Sequence, residues 1–165
     1  MASRATQLPV DAVREIAALV GDDDEDTALL REMKQDAIDH LAQQAWCRRI
    51  TEIYWGDGIG GVVAVFLFVF EADAADGSLA APAWCVVGDL PSLLLPCTGR
   101  QDTPVDVLER YCQEMERWVA SVRAGEGGVG CVPVAAAPTL QHAEMLDGRI
   151  QLLREDIIPQ LRLPR

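Results

Sequence analysis

Six residues, Gly56-Asp57-Gly58-Ile59-Gly60-Gly61, carry the spacing G-x-G-x-x-G, which in dinucleotide-binding folds brings a pyrophosphate against the first N–H groups of a helix. That chemistry requires a helix to open directly after the last glycine. Here the chain continues from Val62 to Phe70 as an unbroken apolar run of Val, Phe, Ala and Leu, which predicts a buried strand. Gly56 to Val62 also fits the longer kinase loop, G-x-G-x-x-G-x-V. No V-A-I-K, H-R-D or D-F-G accompanies it, and the one lysine, Lys34, lies upstream. The expectation is a glycine-rich connection between two strands, with no cofactor.

Other residue types that could do chemistry are few. Asp57 and Asp89 each fall at a predicted strand end, and such a carboxylate pair is the minimal equipment of a hydrolase-like, glycoside-type enzyme. Ordinary structural work explains both better, since Asp in a turn bonds its own backbone. Asp36, His40 and Cys47 share one face of a predicted helix, but seven helical residues separate His40 from Cys47 by about 10 Å along the axis, too far for direct proton transfer. His142 reads as a first-turn residue beside a helix cap. Asp22, Asp24 and Asp26 alternate like the start of a calcium loop, yet Thr27 replaces its glycine and Met33 its terminal glutamate. Zinc ligation lacks paired cysteines and H-E-x-x-H. No catalytic or metal-ligating residue is therefore assigned. Of the four tryptophans, Trp46, Trp84 and Trp118 read as core, and Trp55, beside the glycines, is the best contact residue.

The elements that would position these residues follow from periodicity. Helices are predicted over about 9–20, from the stripe Val13, Ile16, Ala17 and Val20, and over about 27–48, from Leu30, Met33, Ala37, Leu41 and Ala45. The run Asp22-Asp23-Asp24-Glu25-Asp26 precedes the second helix, where carboxylates complement the positive helix end. Strands are predicted over about 50–55, 61–71 and 84–87. Leu93-Leu94-Leu95 reads as a short fourth strand or a buried loop, and Val132 to Val134 as a further extended segment. A helix over 104–124 combines a Thr103 cap, Pro104 at the first position and a stripe from Leu108 to Val122. A last helix over 140–158 carries Ala143, Leu146, Ile150, Leu153 and Ile157 and is expected to stop at Pro159. The fold class is α+β: one domain, 1–165, with an antiparallel sheet of three to four strands over about 50–95, packed by N-terminal and C-terminal helices.

Length and composition narrow the function classes. The chain has 165 residues, half of them hydrophobic, enough for one well-packed domain. Five cysteines, without C-x-x-C spacing, read as buried thiols in a reducing compartment. The first seven residues lack the basic and apolar regions of a secretory signal, and no apolar run is long enough to span a membrane, so a cytoplasmic location is expected. Net charge is −12, and residues 1–45, with ten acids and four bases, carry half of it. Such a field disfavours nucleic acid and anionic membrane and favours a basic partner.

The blocks Tyr54 to Val62, Val86 to Pro91 and Glu114 to Val119 resemble a group of small bacterial α+β proteins without assigned chemistry. In size, acidity and lack of a catalytic signature the chain is also similar to bacterial immunity proteins, which neutralise a toxin made by the same cell. This resemblance implies a non-catalytic, cytoplasmic inhibitor that binds a cognate basic protein. The partner-binding residues expected on charge and position are Asp22, Asp23, Asp24, Glu25, Asp26, Trp55, Asp57 and Asp89. Two other readings stand beside it: an enzyme built on Asp57 and Asp89, and a DNA-mimicking inhibitor whose acids line up on one face.

Overall fold

Val63, Ala64, Val65, Phe66, Leu67 and Phe68 alternate across a strand and yet are all fully buried, so both faces of the sheet must be covered. A computed structural model describes residues 6–164 and shows how. Five antiparallel strands run in chain order: β1 Arg14–Glu15, β2 Cys47–Ile59, β3 Val63–Ala72, β4 Ala83–Gly88 and β5 Leu93–Pro96. Helix α1, Asp24–Ala42, covers one face; α2, Pro104–Arg123, and α3, Leu140–Leu152, cover the other. Val63, Val65, Leu67, Trp84 and Val86 pack with α2 and α3, whereas Ala64, Phe66, Phe68, Cys85 and Val87 pack with α1. Each fully buried Phe contributes about 1.5–3 kcal/mol relative to exposure.

The α2 helix matches its sequence signals throughout. Thr103 caps it in a reciprocal box with Asp106, Pro104 opens it, and Leu108, Tyr111, Cys112, Met115, Trp118, Val119 and Val122 are buried. Helix α1 begins earlier than its stripe implies because the Asp23 carboxylate accepts the Asp26 N–H at 2.7 Å, making Asp23 the cap. It ends at Ala42 and not near 48, because Cys47 already pairs with Ala72 in β2; Ala45 is exposed.

Four further expectations are corrected. No helix forms over 9–20: Arg14 and Glu15 pair with Trp55 and Tyr54, and a 3-10 turn, Ile16–Ala18, follows. A helix that short is marginal in water, and here Val13 joins the core on the α2 side while Ile16 joins the core beside α1. The sheet has five strands where three to four were expected, because Arg14–Glu15 adds an edge and Leu93–Pro96 is a true strand. Residues 132–134 form no strand. Pro159 does not end the last helix. The helix widens into a π-turn, Leu153–Ile157, whose Ile158 N–H reaches back five residues to Leu153 O, and continues as α4, Ile158–Arg162. Proline removes a donor and crowds the carbonyl four residues earlier, and the wider turn accommodates both. The part of the amino-terminal signal reading that rests on residues 1–5 lies outside the described residues.

Candidate functional site

Strand β2 carries a bulge between Trp55 and Asp57, so Gly56 is the extra residue, and Gly58 still pairs with Ala64. The turn proper is Gly60-Gly61-Val62, which leads into β3 as the strand-to-strand reading expects. The amides of Gly58, Gly60 and Gly61 are already occupied. Asp57 Oδ1 accepts the Gly58 N–H at 2.8 Å, Asp26 Oδ1 accepts the Gly60 N–H at 2.6 Å, and Met33 Sδ accepts the Gly61 N–H at 3.3 Å. Two of these three acceptors are carboxylates, which repel a phosphate. The glycines are required by crowding and by backbone angle. A Cβ on Gly60 would lie 2.8 Å from both Asp26 O and Leu29 Cβ, and Gly61 has φ +76°.

The acidic run is thus folded against the glycine turn. Asp26 also accepts the Asp22 N–H at 2.8 Å, and Thr27 Oγ1 accepts the Gly21 N–H at 2.8 Å while donating to Asp23 O. Asp23 and Asp26 therefore hold the loop, and Asp22, Asp24 and Glu25 are exposed without such a task. A polar cleft of about 370 Å³ lies beside them, lined by Asp22, Asp26, Asp57, Arg14 and Leu161 among others. The fold brings three of the expected partner-binding carboxylates together there.

Two expected residues differ from their expected roles. Trp55 touches the cleft but is only 4% exposed, its ring 5.3 Å from Phe66, so it is a core residue and not an exposed contact. The half-exposed tryptophan is Trp46. Asp89 is exposed and ion-paired to Arg149 at 2.7 Å; it lines two small hollows with Leu90 and Arg149 that do not include Asp57. The clefts that Asp57 lines are different from the hollows that Asp89 lines.

The nucleophile arrangement dissolves as well. Cys47 is in β2 while Asp36 and His40 are on α1, and burial raises the Cys47 thiol pKa. Burial likewise raises Cys85 and Cys97 and pushes Cys112 up to about 11, which keeps these thiols protonated and weakly nucleophilic. Partial burial lowers His40. His142 is the cap-side residue expected, its N–H donating to Thr139 Oγ1 and its Nδ1 lying 2.9 Å from Ala137 O. No group of three or more metal-ligating side chains occurs among the described residues, and none of their helices is long and apolar enough to cross a membrane.

The structure adds a feature that the expected residues omit. Glu25, Glu32, Asp36 and Asp39 are exposed and lie on the side of α1 opposite its buried stripe. At 1.5 Å per residue the row is about 21 Å long. The sequence itself marks this face, with Glu32, Asp36 and Asp39 at i, i+4 and i+7. Arg14 and Leu161 had no such signal, because only strand pairing and helix packing bring them to the cleft. The ion pairs among the described residues all involve positions from Arg48 onward, and none engages an acid of the first 45 residues. No family model matches the chain, and no curated protein or solved structure is significantly similar to it.

Proposed function

We propose that this chain is a non-catalytic, cytoplasmic protein-binding module that docks a cognate basic protein on its acidic amino-terminal face, in the manner of a bacterial immunity protein neutralising a toxin. The observation that carries this reading is the asymmetry of charge compensation. Eight acids beyond Arg48 are paired with arginines, whereas Asp22, Asp24, Glu25, Glu32, Asp36 and Asp39 are exposed with no ion pair among the described residues, the last four of them along one side of α1. Like charges at i, i+4, such as Glu32 and Asp36, cost about 0.2–0.5 kcal/mol on a helix. A face kept at that cost steers a partner of opposite sign and accelerates encounter at low salt.

The test is affinity capture from the native host with the wild-type chain and with the combined variant D22N/D24N/E25Q/E32Q/D36N, which spares the structural Asp23 and Asp26. A single basic protein retained by the wild type, released by the variant and bound more weakly as salt rises from 50 to 300 mM supports the proposal. Capture that is equal for both chains and indifferent to salt sinks it. The row on α1 also favours a second reading, in which the partner binds nucleic acid and the carboxylates occupy its DNA site. Competition between duplex DNA and the chain for the captured protein separates the two.

A further inference from the structure

The last strand leaves one edge of the sheet open. Cys97 donates to Pro82 O at 3.3 Å, and in the register Ala83↔Pro96, Trp84↔Leu95, Cys85↔Leu94 this places Leu95 in a hydrogen-bonded pair and Leu94 between bonded pairs. In an antiparallel ladder the N–H and C=O of such an intervening residue point away from the neighbouring strand. Pro96 O is capped by Arg110 Nη1 at 2.9 Å, but the outward groups of Leu94 have no hydrogen-bond partner among the described residues. Residues 132–135 run past this edge without a backbone hydrogen bond to β5.

A groove of about 500 Å³ lies along that edge. Trp46, Leu79 and the last turn of α1, with His40, form one side, and Val134 and Glu114 the other. Trp46 is braced by Phe70, ring centroids 5.7 Å apart, which fixes an aromatic wall. We propose that this edge receives an extended segment of a partner polypeptide, with apolar side chains at alternate positions and one lysine or arginine, which adds to β5 as a sixth strand.

The occupant follows from the groups presented. An outward N–H and C=O on one residue are matched by another extended backbone, the mode by which sheet edges capture peptides. Apolar walls on both sides of the edge suit side chains that alternate between the two faces. The charge of the groove is complementary to a cation. Glu114 is its carboxylate, and the negative end of α1 opens beside His40. Burial lowers the His40 pKa, so the imidazole supplies little compensating charge. Arg117 touches Glu114 at 3.4 Å from an exposed position, a pair of little strength that leaves the carboxylate able to accept a second cation. This surface is separate from the acidic row on α1, and the inference stands without that reading.

The test uses the full chain as bait for a phage-displayed library of random dodecapeptides, followed by synthesis of the enriched sequences. Expected winners alternate apolar residues and contain Lys or Arg. Their binding slows hydrogen exchange at the Leu94 amide by about tenfold or more and is abolished by N-methylation of the peptide at alternate residues. L94P removes the outward donor while sparing the bonds to β4, and proline is tolerated on an edge in that orientation; it should weaken binding about tenfold, and E114Q about threefold. If L94P fails to fold by circular dichroism, the N-methylated peptides and the exchange measurement on the wild type decide the matter. Failure to enrich any peptide, or winners indifferent to N-methylation that leave Leu94 exchange unchanged, overturns the proposal. A concentration-dependent dimer that protects Leu94 without peptide also overturns it and gives the edge to a second copy of the chain.

Discussion

The carboxylate of Asp26 accepts the backbone N–H of Gly60 at 2.6 Å, joining the acidic first turn of α1 to the turn between β2 and β3 across 34 residues of sequence. A helix start with its own acids thus docks on the glycine-rich turn and fills the positions a phosphate would need. The same carboxylate holds Asp22 N–H, so one side chain sets both the loop and its place on the sheet.

Replacing that side chain is expected to cost more than its exposure suggests. Asp26→Ala leaves the half-buried Gly60 N–H and the exposed Asp22 N–H without their acceptor, a loss of about 1–3 kcal/mol, whereas Asp26→Asn keeps one amide oxygen and loses less. Gly60→Ala forces Cβ to within 2.8 Å of Asp26 O and should destabilise by about 1–3 kcal/mol. Urea denaturation of the two single variants and the double variant measures the coupling. Strict additivity would refute the contact as a shared unit.

A buried carboxylate makes stability depend on acid pH. Asp102 is 5% exposed and accepts hydrogen bonds from the Trp84 indole N–H at 3.0 Å, the Thr98 N–H at 2.7 Å, the Thr98 hydroxyl and Arg110 at 3.0 Å. Burial pushes its pKa up, but the Thr98 and Trp84 hydrogen bonds and the Arg110 charge together outweigh that and hold it below the usual carboxylate range. The folded-state value is depressed, so the contribution is fully present above the unfolded value of about 3.9 and is lost as pH falls through the folded one. Asp102→Asn should therefore be destabilised by about 1–3 kcal/mol at pH 7, with the gap to wild type closing as pH drops below about 4. Thermal denaturation from pH 7 to pH 2 checks this; a gap independent of pH would contradict the assignment.

The acidic row on α1 should be a stability liability. Glu32 and Asp36 are one turn apart and exposed, so E32Q/D36N relieves their repulsion and is expected to raise stability by about 0.2–0.5 kcal/mol at low salt, with the gain shrinking at 0.5 M salt. Chemical denaturation at both ionic strengths provides the comparison. A loss of stability would show that these acids have a structural task and would weaken their reading as a binding face.

What the sequence determined by itself is local and strongly periodic. The span of α2 follows from Thr103, Pro104 and its apolar stripe, and β3 from a run of Val and Phe too apolar for any exposed face. The glycine motif was legible as a strand connection for the same reason, since the residues after it could not begin a helix. Tertiary structure alone decided what depends on partners distant in the chain. Residues 14–15 became a strand because β2 offers an edge, Trp55 became core because its register opposes Phe66, and Pro159 was absorbed by a π-turn in a helix held on α2. Asp57 and Asp89, alike in sequence setting, were sent to different cavities, whereas Asp22, Asp26 and Asp57 converged on one. Periodicity reports which face of an element is apolar, but register and docking are set by packing across the sheet, and those decide which polar groups meet.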